Sequence, residues 1–184
     1  MSETLIDGGG KGYQAGVNSE NRLKTLSVTS SAEHHANHHD KTAYSLLFDA
    51  TPTGAADCFL YIKNTDSTDM IVEGFGLKLI ANEYIDVKIG DTGTPAGGGA
   101  IVPANLNGGT SATATGTFED GNNITALSGG TTVYRIYHAS SNGTTDYNFE
   151  QDIILPTNST LTMYCQTGTT ALAGYIDFNY HDVE

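Results

Sequence analysis

Four histidines, His34, His35, His38 and His39, form the densest group of metal-ligating side chains in the sequence. Neutral imidazole suits zinc, nickel or copper, and the pairs His34/His38 and His35/His39 have the i, i+4 spacing that would align both rings on one helix face. Glu33 and Asp40 flank the tract and could add oxygen ligands. No second ligand cluster accompanies it, and His138 and His181 lie far off along the chain. Short histidine tracts are compositional evidence only, so the segment reads as a solvated polar linker and no metal or other cofactor is assigned. The four histidines stand as the metal candidates should a symmetric oligomer bring several copies together.

Other chemistry is sparser. The acidic turns Asp66-Ser-Thr-Asp69 and Asp91-Thr-Gly suggest calcium, a hard cation that takes six to eight oxygens, yet neither has the spacing of an EF-hand loop. Both read as surface turns kept acidic for solubility. The sequence has no Gly-x-Ser-x-Gly, no His-Glu-x-x-His, no phosphate loop and no dinucleotide fingerprint after a strand. A non-enzymatic protein is expected. Cys58 and Cys165, the two cysteines, sit inside the apolar runs Cys-Phe-Leu-Tyr-Ile and Leu-Thr-Met-Tyr-Cys, so they read as buried free thiols.

Stepping from these residues to what must carry them, the pattern is one of strands. Ala43–Phe48, Asp57–Lys63, Met70–Ile80, Glu83–Ile89, Thr132–Tyr137, Tyr147–Leu155, Ser159–Cys165 and Ala171–Tyr180 are apolar or alternating runs of strand length. In Glu83–Ile89 the polar residues should face outward. Gly90–Gly99, Asn107–Gly116 and residues 119–131 read as long surface loops, with weak strands at Ala100–Val102 and Thr115–Phe118. Before this domain (residues 42–184) come residues 1–41: a glycine-rich start, a hairpin over 13–28 turning at Asn18–Asn21, and the histidine linker. Two strands alone are marginal in water, so the hairpin is expected to act as an arm that packs on the main domain or a neighbouring subunit. The fold class is all-β, an antiparallel β-sandwich. A jelly roll is the leading topology and an immunoglobulin-like sandwich the next.

Composition agrees. Gly, Thr and Ser make about a third of the 184 residues, favouring turns and strands over helices. Eight Lys and Arg against 21 Asp and Glu give a net charge of −13, which repels phosphate polyanions and argues against a nucleic-acid partner. The longest apolar runs are of strand length, so no membrane-spanning helix is expected. The opening residues lack a basic region followed by an apolar one, so a chain made in the cytosol and not secreted is expected.

The stretch Gly12-Tyr-Gln-Ala-Gly-Val-Asn-Ser-Glu-Asn-Arg-Leu-Lys-Thr-Leu-Ser-Val28, followed by a polar link and Ala43-Tyr44, resembles the N-terminal pattern of small virion proteins of tailed bacteriophages. The closing run Leu155-Pro-Thr-Asn-Ser-Thr-Leu-Thr-Met and Gly174-Tyr-Ile-Asp-Phe-Asn-Tyr180 is similar to the last strands of such sandwiches. The resemblance covers about a quarter of the chain closely. It implies a capsid decoration (cement) protein on the outside of the virion, with the major capsid protein and further copies of itself as partners, a trimer being favoured. Tyr13, Val17, Arg22, Leu23, Leu26 and Val28 would be the contact residues of the arm. The alternative is a receptor- or carbohydrate-binding sandwich of a head or tail fibre, since exposed Tyr and Asn/Asp-rich loops suit sugar stacking and hydrogen bonding.

Overall fold

The structure, a computed structural model, describes residues 16–17, 23–24, 37, 40–140, 143–168 and 170–180. The chain divides into two units, residues 1–31 and 32–184. In the first, β1 (Gly16–Val17) and β2 (Leu23–Lys24) pair antiparallel, Gly16 opposite Lys24 and Val17 opposite Leu23. The rest of the expected hairpin lies outside the described residues.

The second unit is built from β3 (Ala43–Ala50), β4 (Asp57–Asn64), β5 (Met70–Leu79), β6 (Glu83–Ile89), β7 (Thr92–Ala96), β8 (Gly99–Ala100), β9 (Ala104–Asn105), β10 (Gly116–Ser128), β11 (Thr131–His138), β12 (Thr145–Leu155), β13 (Thr160–Cys165) and β14 (Leu172–Tyr180). No helix occurs among the described residues from Ala43 to Tyr180. One sheet runs β11-β6-β13-β4-β10-β7, with β8 also on β10, and the other runs β12-β5-β14-β3-β9; every ladder is antiparallel. The all-β antiparallel sandwich expected from the strand pattern is the observed architecture.

Alternation explains the packing. In β3, Tyr44, Leu46, Phe48 and Ala50 point inward while Leu47 and Asp49 are exposed. They meet Phe59 and Ile62 of β4, Met70, Val72, Phe75, Leu77 and Leu79 of β5, Ile85 and Val87 of β6, Leu161 and Met163 of β13, and Ile176 and Phe178 of β14. Burying aliphatic and aromatic side chains of this size stabilises the fold by roughly 1.5–3 kcal/mol each, before conformational entropy is set against it. Gly174 is required where β14 crosses this core. A Cβ there would fall 2.3 Å from the Gly76 carbonyl oxygen and 2.6 Å from the Phe48 ring.

Three expectations are corrected. Residues 119–131 are not a loop, since β10 continues to Ser128, and Gly90–Gly99 contains the strand β7. These strands are held by backbone pairing of β10 to β4, β7 and β8, with mostly exposed side chains, so no apolar period marks them. Glu83 and Asp86 do not face water; both are buried, as is Asp91, whose turn read as a solvated surface feature. Each is buried because donors converge on it. Glu83 accepts from the backbone N–H of Tyr84, Thr167 and Gly168 and from the Thr167 hydroxyl at 2.7–2.9 Å. Asp86 accepts a two-pronged contact from Arg135 (2.6 and 2.8 Å) and one from the Gln166 amide at 2.9 Å. A buried carboxylate is tolerated when its lone pairs are filled in this way.

Candidate functional site

The two sides of the sandwich end differently. On one side the short strands β7, β8 and β9 lie against the long strands β10 and β3. On the other, β11 and β12 are full-length edge strands, each paired along one side only among the described residues. Such edges are normally blunted or covered, because unpaired N–H and C=O groups invite a further hydrogen-bonding partner.

A groove runs between these two edges. One hollow of about 380 Å³ is lined by Tyr134, Ile136, Tyr147, Asn148, Phe149 and Gln151. A second, about 310 Å³, shares Tyr134 and Gln151 with the first and adds Val133 and Asp152 to its walls. The groove has a local cause in β12. Asn148 is registered to Gly74 and Ile153 to Val72, so four residues of β12 oppose the single residue Glu73 of β5. This irregular bulge takes Phe149–Asp152 out of the ladder, the kind of departure that re-aims side chains beside a site.

Aromatic rings make the wall. Tyr134 stacks on Phe149 with centroids 4.7 Å apart and planes 21° apart. Phe149 and Tyr147 each lean on the buried Phe75, at 5.9 and 5.0 Å. The Tyr147 hydroxyl is 3.0 Å from Nδ1 of His138, and this contact fixes the ring. His138 is fully buried and its Nε2 has no partner among the described residues. Burial alone pushes the His138 pKa below its ordinary value, so the ring is neutral near pH 7. Burial likewise raises the Tyr147 phenol.

The outer face of the β11-β6-β13-β4 sheet is a different surface. Tyr84 and Tyr137 pair at 5.0 Å beside the Arg135–Asp86–Gln166 cluster, and the Lys88 ammonium sits 3.9 Å from the centroid of the Tyr164 ring. The polar groups of this cluster are partnered within the sheet. The outer face of the β5-β14-β3 sheet carries the contacts of Tyr175 with Asp146 and of Asn179 with Glu73. Leu47 and Ile80 are each 71% exposed, and Ile80, Ala173, Lys78 and Asp49 border a shallow hollow of about 220 Å³.

Comparison with protein-family models, curated proteins and solved structures finds no match.

Of the residues that the sequence singled out, Val17 and Leu23 are opposite each other in the β1–β2 ladder. Tyr13, Arg22, Leu26 and Val28, and the histidines His34, His35, His38 and His39, lie outside the described residues. Among the described residues no cluster of three or more His, Cys, Asp or Glu side chains is arranged to hold a metal ion. Cys58 and Cys165 are free and buried. They pack into separate apolar clusters, Cys165 between the sheets and Cys58 with Tyr61, Ile124 and Tyr164. Burial pushes each thiol up to about 12, which removes them from nucleophilic chemistry.

Sequence reasoning missed the groove because Tyr134, Tyr147 and Phe149 read as ordinary core positions of strong strands. One signal was present. In the run from Tyr147 to Leu155 the inward parity is Tyr, Phe, Gln, Ile, Leu, and Gln151 breaks an otherwise apolar set.

Proposed function

We propose that this protein is a non-enzymatic structural protein of a tailed-phage virion, made in the host cytoplasm, which binds the outside of the capsid and stabilises it. The single observation that carries the reading is the pair of bulky apolar side chains Leu47 and Ile80, each 71% exposed on the outer side of the β5-β14-β3 sheet. Large apolar side chains left in solvent on a sheet face favour a contact with another protein surface. The resemblance of residues 12–28 and 155–180 to small virion proteins supports the same assignment. So does the strand order. β12-β5-β14-β3 facing β11-β6-β13-β4 is the connectivity of two interlocked Greek keys, which we read as a jelly roll with β7–β10 inserted between β6 and β11.

In this reading the partners are the major capsid protein and further copies of the chain, a trimer being the favoured oligomer. The protein binds the assembled shell and not its dissociated subunits, so it stabilises the shell by mass action at each site. An acidic surface carries no penalty on the exterior, away from packaged DNA. Attachment rests on apolar burial and strand addition by the arm, so it survives raised salt, which screens mainly exposed charge pairs.

The test is cosedimentation with shells stripped of the protein, followed by heating with and without its return. Wild type cosediments and raises the disruption temperature, whereas Leu47→Asp and Ile80→Asp remain folded and lose binding. Shells equally robust in both states refute a cement role.

A further inference from the structure

The groove between β11 and β12 is unrelated to the apolar side chains invoked for capsid binding and carries a reading of its own. We propose that it is a binding site for an uncharged carbohydrate two sugar rings long. The argument starts from what the lining can and cannot recognise. Tyr134, Phe149 and Tyr147 give the first hollow three half-buried rings, and the CH-rich face of a pyranose stacks on a ring face open to the hollow with loss of apolar area from water. Tyr134 and Phe149 are stacked on each other, so the rings do not surround a point as a cage for a quaternary ammonium does.

Polar groups stand beside these rings. The amides of Asn148 and Gln151 are exposed, and neither side chain is hydrogen-bonded among the described residues. The free edges of β11 and β12 add backbone donors and acceptors at regular intervals. A polyol presents many hydroxyls that both donate and accept, which matches this mixture better than an apolar ligand does. Charge excludes other classes. Among the described residues that line the two hollows there is no Lys, Arg or His and Asp152 is the one acidic side chain, and the chain carries −13 overall, so an anionic ligand is disfavoured.

Length follows from the two hollows. At about 380 and 310 Å³ they adjoin through Tyr134 and Gln151, each at the small end of ligand pockets, so together they form a paired subsite. The wall is also preorganised. Phe75 supports it from the core and His138 pins the Tyr147 hydroxyl, which lowers the ordering cost of binding.

The test titrates the full-length protein with maltose, cellobiose, lactose and chitobiose, with sialyllactose as the acidic control. Saturation-transfer NMR and intrinsic tyrosine fluorescence report binding, the latter unobscured because the chain has no Trp. At least one neutral disaccharide binds with a millimolar or better Kd, and sialyllactose binds less well. Gln151→Ala, an exposed substitution, weakens that binding about fivefold or more at unchanged urea midpoint. Tyr134→Ala weakens it about tenfold or more. The proposal is overturned if no neutral disaccharide binds below about 20 mM, if sialyllactose is preferred, or if Gln151→Ala binds as wild type does. It is also overturned if sedimentation shows self-association that Gln151→Ala and Tyr134→Ala abolish, since the groove then receives a strand of a second copy. None of these outcomes depends on capsid binding, which Leu47→Asp probes separately.

Discussion

Asp91 allows the sharpest test of how this sandwich is held together. The residue follows β6, is 4% exposed, and receives donors from two distant parts of the chain. Its Oδ2 accepts the hydroxyls of Thr162 (2.5 Å) and Tyr164 (3.0 Å) on β13, and its Oδ1 accepts the N–H of Gly130 (2.8 Å) in the turn between β10 and β11. Replacing it by Ala strands the buried hydroxyls of Thr162 and Tyr164 and the half-buried N–H of Gly130. A hydroxyl can rotate toward another acceptor, but the Gly130 N–H cannot. At roughly 1–3 kcal/mol for each buried group left unsatisfied, Asp91→Ala is expected to cost about 4 kcal/mol. Thr162→Val removes one donor to the Asp91 carboxyl and should cost about 2 kcal/mol. The two changes share an interaction, so the double variant should cost about 1.5 kcal/mol less than the sum. Equilibrium urea unfolding reads this directly. With a slope of about 2 kcal/mol per molar, Asp91→Ala lowers the midpoint by about 2 M. A shift below about 0.5 M, or strict additivity with Thr162→Val, would show that the carboxylate is not the organising acceptor and refute the reasoning.

Three further outcomes are expected. Because burial lowers the His138 pKa from its ordinary 6.5, the unfolded chain takes up this proton first as pH falls. The urea midpoint should therefore be highest above about pH 6.5 and decline from there toward the lower folded value, and His138→Gln should flatten that decline between pH 7.5 and 5.5. Cys58 and Cys165, with thiols pushed up to about 12, should release no chromophore from a thiol-disulfide reagent at pH 8 until the protein is unfolded in urea, and then two equivalents. Gly168 has φ +73° and a Cβ there would lie 2.1 Å from the Gly54 carbonyl oxygen, so Gly168→Ala should destabilise by about 2 kcal/mol or more in the same urea assay.

Much of the fold was legible in the sequence because burial leaves a period. Tyr44, Leu46 and Phe48 alternate with Ser45 and Leu47, and Leu161, Met163 and Cys165 alternate with Thr160, Thr162 and Tyr164, so one face of each strand had to be covered. Eight such runs without a helical period leave a sandwich as the natural solution. Strands that bury little left no such trace. β7 and the second half of β10 exist because their backbones find partners in each other, and backbone pairing has no residue code.

The sequence by itself determined the strand-forming core, the two buried free thiols and the net charge of −13. Each follows from local composition and alternation. Only the tertiary structure decided where the carboxylates and the aromatics would go. Glu83, Asp86 and Asp91 look like surface acids until Thr167, Arg135 and Thr162, distant in sequence, converge on them. Tyr134 and Phe149 look like core residues until the β12 bulge and two unpaired edges leave them lining a groove. The physical reason is the same in both cases. Whether a side chain is paired or open depends on which distant strand lies beside it, and that neighbour is set by sheet order and register, which alternation along one strand does not encode.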